Sequence, residues 1–148
     1  MPRDNPATGV YVFRGQPTLV FLTVCSLNRK AILATHQVQE KLCEAWKEAD
    51  AWMVGSYVVM PDHIHLFCAP QNEDISIERW ITYWKRQFHR HFGAGAPRFQ
   101  SRGFHHRLRR DESYAEKWEY VRSNPVRAGL VSRPEDWPFQ GTLNELRW

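Results

Sequence analysis

Cysteine, long apolar runs and a secretion signal are scarce or missing in this sequence of 148 residues. The three cysteines, Cys25, Cys43 and Cys68, form no Cys-x-x-Cys pair, which predicts reduced thiols rather than a disulfide framework. The longest apolar stretch, LVFLTVC, is much shorter than the roughly 20 residues that cross a bilayer. The first residues, MPRDNPATG, contain no apolar run before a small-residue cleavage site. These absences predict a cytoplasmic protein.

Low complexity is also absent. Hydrophobic residues make up 43% of the sequence and aromatic residues 14%, which excludes a disordered chain. A length of 148 residues fits one domain that buries its own core without a structural metal.

Acidic residues are missing from residues 79–110, although the whole sequence contains 16 of them. The same segment carries nine Lys or Arg, so the formal net charge of +4 hides one strongly basic stretch. Aromatic residues are interleaved with the basic ones, as on surfaces that neutralise phosphates and stack on bases. The alternative is a solvated helix face whose aromatic residues lie in the core.

The residue pattern predicts a fold of the α+β class. Strands are predicted over residues 18–26, 52–60, 63–69 and 103–108. Helices are predicted after Thr35, from near Asp74 or Ser76, and from Ser113 to a stop at Asn124-Pro125. The order β-α-β-β-α-β-α predicts a ferredoxin-like, split βαβ antiparallel sheet with helices on one face and an additional C-terminal helix. The tail from Leu130 is predicted to be irregular and docked by its aromatic residues Trp137, Phe139 and Trp148.

A His-x-His pair is the sharpest local motif. In MPDHIHLF, residues two apart on a strand share one face, so His63 and His65 lie side by side while Ile64 and Leu66 face the other way. Two imidazoles on a rigid strand can form part of a metal site, but a catalytic site needs a third ligand and open positions. The alternative is one hydrogen-bonded surface histidine beside a chance neighbour.

Tyr120 is the candidate that the last helix contributes. Helical periodicity places Tyr114, Trp118 and Val121 on one stripe and Tyr120 away from it, with Asn124 one turn later. A tyrosine that points off the core stripe can project into a site. The alternative is a surface tyrosine followed by a residue that merely ends the helix before Pro125.

The segment GFHHRLR carries adjacent histidines, His105 and His106. Because adjacent residues of a strand face opposite ways, both cannot join one site. Phosphate contact by its arginines is the simpler interpretation.

Taken together, MPDHIHL, GFHHRLR and YVRSNPVRAGLV resemble the single-tyrosine HUH transposases, especially the REP-associated tyrosine transposases, over about residues 18–137. The resemblance implies one domain over residues 1–148, with a core at about 18–129 and a tail at 130–148. It implies that Tyr120 is the nucleophile and that His63, His65 and Asn124 bind Mg²⁺ or Mn²⁺. Relatives often have Asp-His where this sequence has His105-His106, which leaves a role for His105 open.

The resemblance further implies cleavage of single-stranded DNA next to hairpins of repeated extragenic palindromes (REP), through a covalent 5′-phosphotyrosine. Basic side chains of the acid-free segment are then expected to bind this DNA: Lys85, Arg86, Arg90, Arg98, Arg102, Arg107, Arg109 and Arg110. A bacterial protein associated with the nucleoid is expected, and a monomer is favoured over a homodimer. Two alternatives are a non-catalytic module that binds hairpins for regulation, and a metal-dependent phosphodiesterase that uses activated water.

Overall fold

The structure is a computed structural model that describes residues 18–109 and 113–146. Arg110 and Trp148, both singled out above, lie outside the described residues. The strands are β1 (Val20–Cys25), β2 (Trp52–Val59), β3 (His63–Pro70), β4 (Phe104–Arg107) and β5 (Gln140–Thr142). The helices are α1 (His36–Glu48), α2 (Ile77–Phe92), α3 (Tyr114–Arg122) and α4 (Asn124–Arg127), with 3₁₀ turns at Leu27–Arg29 and Pro134–Asp136.

The five strands form one antiparallel sheet in the order β4-β1-β3-β2-β5. Strands β2 and β3 form a hairpin, as the residue pattern predicts. In it, Val59 pairs with Ile64 and the Met60 N–H donates to the carbonyl of His63. The ferredoxin-like α+β prediction is confirmed. The three cysteines are free, as predicted.

Helices α1 and α2 cover one face of the sheet and enclose the main core. Apolar residues that recur at three- and four-residue spacing along α2 are buried there, and every second residue of β3, including Ile64 and Leu66, points into the same cluster. Each such side chain contributes about 1.5–3 kcal/mol when it is fully buried. Thr35 caps α1 by accepting a hydrogen bond from the Val38 N–H at 3.1 Å, as its position before the apolar stripe predicts.

Helix α3 and the tail cover part of the opposite face. Val121 is buried against this face, and Tyr114 and Trp118 pack against the ring of Phe67. Trp137 is buried too, and its indole N–H donates to the carbonyl of Val59 at 3.0 Å. The predicted docking of the tail by its aromatic residues is therefore confirmed for Trp137.

Two predictions about the C-terminal part are corrected. The last helix does not stop at Asn124-Pro125: α3 ends at Arg122, and α4 begins at Asn124. Pro125 is accommodated because the first N–H groups of a helix have no partner within it. The tail is not wholly irregular either, since β5 pairs with β2 and places Gly141 opposite Tyr57. A Cβ atom at Gly141 would lie 3.0 Å from the Tyr57 hydroxyl, so only glycine allows this approach without displacement.

The α3 helix and the tail meet over Gly55 of β2. A Cβ atom there would lie 2.6 Å from Leu146 Cδ1 and 2.7 Å from the Tyr114 hydroxyl. The same hydroxyl accepts a hydrogen bond from the Ser56 N–H at 2.9 Å. Gly55 is thus the point at which β2, α3 and the tail are in closest contact.

None of the helices in the described part of the chain has the length and apolar character needed to span a membrane.

Candidate active site

His63 and His65 lie side by side on the face of β3 that points away from α1 and α2. Their ring centroids are 4.6 Å apart, and the ring of Phe21 from β1 stacks on His65 at 5.1 Å. The alternation predicted for this strand is confirmed, because Ile64 and Leu66 are fully buried on the other face.

A hydrogen bond to Nδ1 holds each of the two rings. His63 Nδ1 lies 2.8 Å from Asp62 Oδ1, and His65 Nδ1 lies 2.8 Å from the hydroxyl of Thr23 on β1. Neither Nε2 atom has a hydrogen-bond partner within residues 18–109 and 113–146. This arrangement leaves both Nε2 atoms available as ligands, and such second contacts commonly orient metal-binding histidines.

Asp62 is itself fixed by Arg29, whose Nε and Nη2 both lie 2.9 Å from Oδ2. Arg29 and Asn28 have left-handed backbone conformations, with φ of 52° and 58°. Burial opposes ionisation of Asp62, but hydrogen bonds and positive charge from His63 and Arg29 outweigh it and lower the carboxyl pKa. The carboxylate is therefore ionised at neutral pH and can orient His63.

The His65 imidazole is neutral at neutral pH. Burial lowers its pKa to about 3, and positive charge from His63 and Arg127 acts in the same direction. Neutral imidazole is the form that binds metals. Phe67 lies on the same face of β3 as His65, and Tyr114 and Trp118 pack against its ring, so α3 lies on the side of the sheet that carries the histidine pair.

Tyr120 projects from α3, as its position off the buried stripe predicts. Its side chain is 67% exposed, whereas Val121 next to it is buried against the sheet. Ser113 begins the helix by accepting a hydrogen bond from the Glu116 N–H at 3.2 Å. Tyr120 is therefore accessible on a helix that is held at its start by a cap and along its length by packing.

Arg127 connects Tyr120 with Asn124. Its Nη2 donates to the Tyr120 carbonyl at 2.8 Å and also to the Asn124 side-chain oxygen. Its guanidinium carbon lies 4.0 Å from the centre of the Tyr120 ring. The side chain of the predicted third ligand and that of the predicted nucleophile are thus brought together by a residue that the sequence reasoning missed.

The donor atoms fit a divalent cation only in part. Across the described residues, no group of three or more His, Cys, Asp or Glu side chains is arranged to hold a metal ion. A cation bound by His63 and His65 would need further oxygen ligands, such as the Asn124 amide or a substrate phosphate. Mixed nitrogen and oxygen ligands suit Mn²⁺ better than Mg²⁺.

The β4 strand presents His106 and Phe104, not His105, on the face of the histidine pair. The His106 ring lies 5.7 Å from that of Phe21. Phe104 pairs with Thr23, which in turn pairs with His65, and the Phe104 side chain is 76% exposed. His105 faces α2, where its Nε2 lies 3.4 Å from a carboxylate oxygen of Glu78.

The basic residues of the acid-free segment are distributed over two faces. Lys85 Nζ donates to the Gln100 carbonyl at 2.8 Å, and Arg90 lies 3.1 Å from a carboxylate oxygen of Glu48. Arg107 shares a face with His105, on the α2 side of the sheet. The remaining members within the described part of the chain are exposed: Arg79, Arg86, Arg98, Arg102 and Arg109.

The sequence reasoning missed four residues that contact the candidate site: Thr23, Arg29, Asp62 and Arg127. Asp62 directly precedes His63, so its position in the turn could have indicated a role. Thr23 and Arg29 come near the histidines only through the pairing of β1 with β3 and the turn that follows β1. Arg127 was missed because it lies in α4, beyond the Asn124-Pro125 stop that the sequence predicts.

No protein-family model matches the chain. Two curated proteins that are similar to it carry the same family description. A REP-associated tyrosine transposase of Escherichia coli K12 is 31% identical over 122 residues, which cover 80% of this chain and 73% of that protein. A Haemophilus influenzae protein with the same family name is 34% identical, over 87% of this chain and 82% of its own.

The chain is also similar to solved structures, one of which belongs to the same family as these relatives. A REP-associated tyrosine transposase bound to a REP hairpin superposes with a TM-score of 0.70 and 27% identity, over 88% of this chain and 82% of that one. A transposase-like protein from Deinococcus radiodurans, at 15% identity and a TM-score of 0.54 over 76% of this chain and 95% of its own, shares the fold. The chain belongs to the family of REP-associated tyrosine transposases.

Proposed function

We propose that this protein is a metal-dependent endonuclease and strand transferase that acts on single-stranded DNA next to a REP-type hairpin, through a covalent 5′-phosphotyrosine. The family membership and the hairpin-bound structural neighbour support the substrate class. The observation that supports the chemistry is an exposed tyrosine on the helix that packs against the face of the sheet with two oriented imidazoles.

His63 and His65 would hold the cation through Nε2, with the Asn124 side-chain oxygen as a further ligand. When bound, the cation supplies Lewis-acid activation of the scissile phosphate. Asp62 and Thr23 keep the two rings in place through Nδ1. Since the His65 ring stays neutral, it does not repel the cation.

Tyr120 would perform the covalent step. Its phenolic oxygen attacks phosphorus, the bond from phosphorus to the 3′ oxygen breaks, and the leaving 3′ oxygen takes up a proton. The products are a 5′-phosphotyrosine and a free 3′-OH, while the phenolic proton passes to solvent or a nearby base. Attack by a 3′-OH on the phosphotyrosine reverses the bond changes, so rejoining requires no ATP.

The DNA would approach along β4 and the segment that precedes it. Arg98 and Arg102 are exposed in that segment, and Arg109 is exposed just after β4. Phe104 offers an accessible aromatic ring on the face of the histidine pair. Arginine supplies affinity for the phosphate backbone, and an aromatic ring can stack on an unpaired base. Lys85 and Arg90 contribute less, because the Gln100 carbonyl and Glu48 already engage them.

The decisive experiment is adduct formation on a labelled oligonucleotide that contains a REP hairpin with single-stranded flanks. We expect a denaturation-resistant protein–DNA band with Mg²⁺ or Mn²⁺ and none with EDTA. Tyr120→Phe should abolish the band, and so should His63→Ala combined with His65→Ala. Tyr83→Phe, which changes an exposed tyrosine of α2, is the matched control.

The outcomes separate the alternatives. Salt-sensitive binding without cleavage in any divalent ion would indicate a regulatory hairpin-binding module. Cleavage without an adduct, undiminished in Tyr120→Phe, would indicate a hydrolase that uses activated water. Either result would contradict the proposed nucleophile.

A further inference from the structure

Arg127 carries a charge that no carboxylate in the described part of the chain neutralises. The other arginines around α3 and the tail are paired: Arg122 lies 3.2 Å from Glu119, and Arg133 lies 2.9 Å from Asp136. The two oxygens that accept hydrogen bonds from Arg127, the Tyr120 carbonyl and the Asn124 amide oxygen, are both uncharged. An exposed guanidinium in these surroundings keeps its full attraction for an anion.

The Arg127 guanidinium also keeps most of its donors. Both hydrogen bonds use Nη2, and within residues 18–109 and 113–146 no acceptor engages Nε or Nη1. A planar fork of N–H groups matches the oxygens of a phosphate and can bind two of them at once. Arg127 is therefore equipped to bind a phosphate without first losing an ion pair.

The position of Arg127 specifies which phosphate this is. The guanidinium lies over the ring whose hydroxyl is the proposed nucleophile, 4.0 Å from its centre. A phosphorus atom attacked by that hydroxyl must come within about 3–3.5 Å of the oxygen. Its non-bridging oxygens are then within reach of the same arginine side chain.

We propose that Arg127 is a catalytic residue that binds a non-bridging oxygen of the scissile phosphate and stabilises the charge that develops there as Tyr120 attacks. This inference rests on the proposed function, since it needs a scissile phosphate at Tyr120. Arg127 gives up no proton in the step. Its fixed positive charge acts on the non-bridging oxygens, separately from the imidazole pair on β3.

The first test compares rates of adduct formation in single turnover on the REP-hairpin oligonucleotide. Arg127→Gln should reduce the rate by about 100-fold, the loss typical for one donor to a developing oxyanion. Arg127→Lys, which keeps the charge but not the fork, should recover part of that loss. Arg133→Gln removes an exposed arginine that is already paired with Asp136, so its rate should stay within about twofold of wild type.

The second test separates phosphate binding from mere positioning of Tyr120 and Asn124. In the Tyr120→Phe background, affinities are measured for oligonucleotides with a phosphodiester or an uncharged methylphosphonate at the mapped cleavage position. Adding Arg127→Gln should weaken binding of the phosphodiester by about tenfold and of the methylphosphonate by less than about twofold.

Equal losses of affinity for the two oligonucleotides would overturn the inference and leave Arg127 as a positioning residue. A wild-type rate of adduct formation in Arg127→Gln would overturn it as well. By contrast, a wild-type protein that forms no adduct with any hairpin in Mg²⁺ or Mn²⁺ contradicts the proposed function itself. The two failures are thus distinguishable.

Discussion

The hydroxyl of Thr23 lies 2.8 Å from Nδ1 of His65, so a side chain of β1 fixes the ring of a residue on β3. The contact follows from the strand register, in which the two residues are direct partners. The orientation of one candidate ligand therefore depends on a residue 42 positions earlier in the sequence.

Thr23→Val should weaken metal binding. Valine keeps the β-branched shape that suits a strand but cannot accept the hydrogen from Nδ1, so the ring loses the contact that orients it. We expect about tenfold lower affinity for Mn²⁺, measured by isothermal titration calorimetry. Thr82→Val, the same change on the exposed surface of α2, is the control. Unchanged affinity in Thr23→Val would refute a role for this hydrogen bond.

The stability of the metal-free protein should fall in mild acid because of His65. Its pKa is about 3 in the folded state and about 6.5 in the unfolded chain, so between these values only the unfolded state binds the proton. The contribution of the neutral His65 ring to folding stability is complete above the pKa of the unfolded chain. It decreases as the pH falls toward the pKa of His65 in the folded state. This group alone should lower the free energy of unfolding by about 2 kcal/mol between pH 7 and pH 5.

Urea unfolding at the two pH values measures this effect. In His65→Gln, the difference in the free energy of unfolding between pH 7 and pH 5 should be smaller than in wild type by about 2 kcal/mol. In His36→Gln, which changes an exposed histidine at the start of α1, the difference should match wild type. An undiminished pH dependence in His65→Gln would show that the ring is not protected from protonation.

The histidine pair and Tyr120 should act within one chain. Tyr114 and Trp118 of α3 pack against the ring of Phe67, which lies two residues after His65 on the same face of β3, so the helix that carries Tyr120 covers the face of its own histidines. Mixing the Tyr120→Phe variant with the His63→Ala/His65→Ala variant should therefore restore no adduct formation. Recovery of activity in the mixture would instead indicate a site shared between two chains.

Phe104→Ala should weaken binding of single-stranded flanks without affecting the fold. The ring is 76% exposed, so its removal leaves no cavity, whereas stacking of one base contributes about 1–3 kcal/mol. We expect about tenfold weaker binding of the flanked hairpin in fluorescence anisotropy. Tyr83→Ala, at a 45% exposed tyrosine on the far side of the sheet, should bind like wild type. Equal affinities for all three proteins would exclude Phe104 from the interface.

The sequence predicted most of the fold because the relevant signals are local. The period-two pattern of β3 and the helical stripe of α2 both recur in the structure. The β5 strand was missed because Gln-Gly-Thr has little intrinsic preference for a strand and pairs only because the tail is docked. The break at Ser123 was missed because Pro125 signals a boundary but does not distinguish the end of a helix from the start of another.

The candidate site was predictable where it depends on periodicity. The shared face of His63 and His65 and the outward direction of Tyr120 both follow from residue spacing. For His105 and His106, the spacing shows only that they face opposite ways, and the register of β4 against β1 decides that His106 shares the face of His65. Arg127 was missed because the residue pattern ended the last helix at Asn124-Pro125, whereas Arg127 lies in α4 beyond that point.

Leu146 of the tail and Tyr114 of α3 both lie close above Gly55. The tail therefore helps to hold α3, the helix that carries Tyr120, in place. Residues outside the candidate site thereby influence where the phenol of Tyr120 stands. A larger side chain at Gly55, or a smaller one at Leu146, should misalign the proposed nucleophile while every residue of the candidate site remains intact. Random mutagenesis that selects for lost DNA cleavage should accordingly recover substitutions here, and they would resemble active-site lesions in phenotype but not in location.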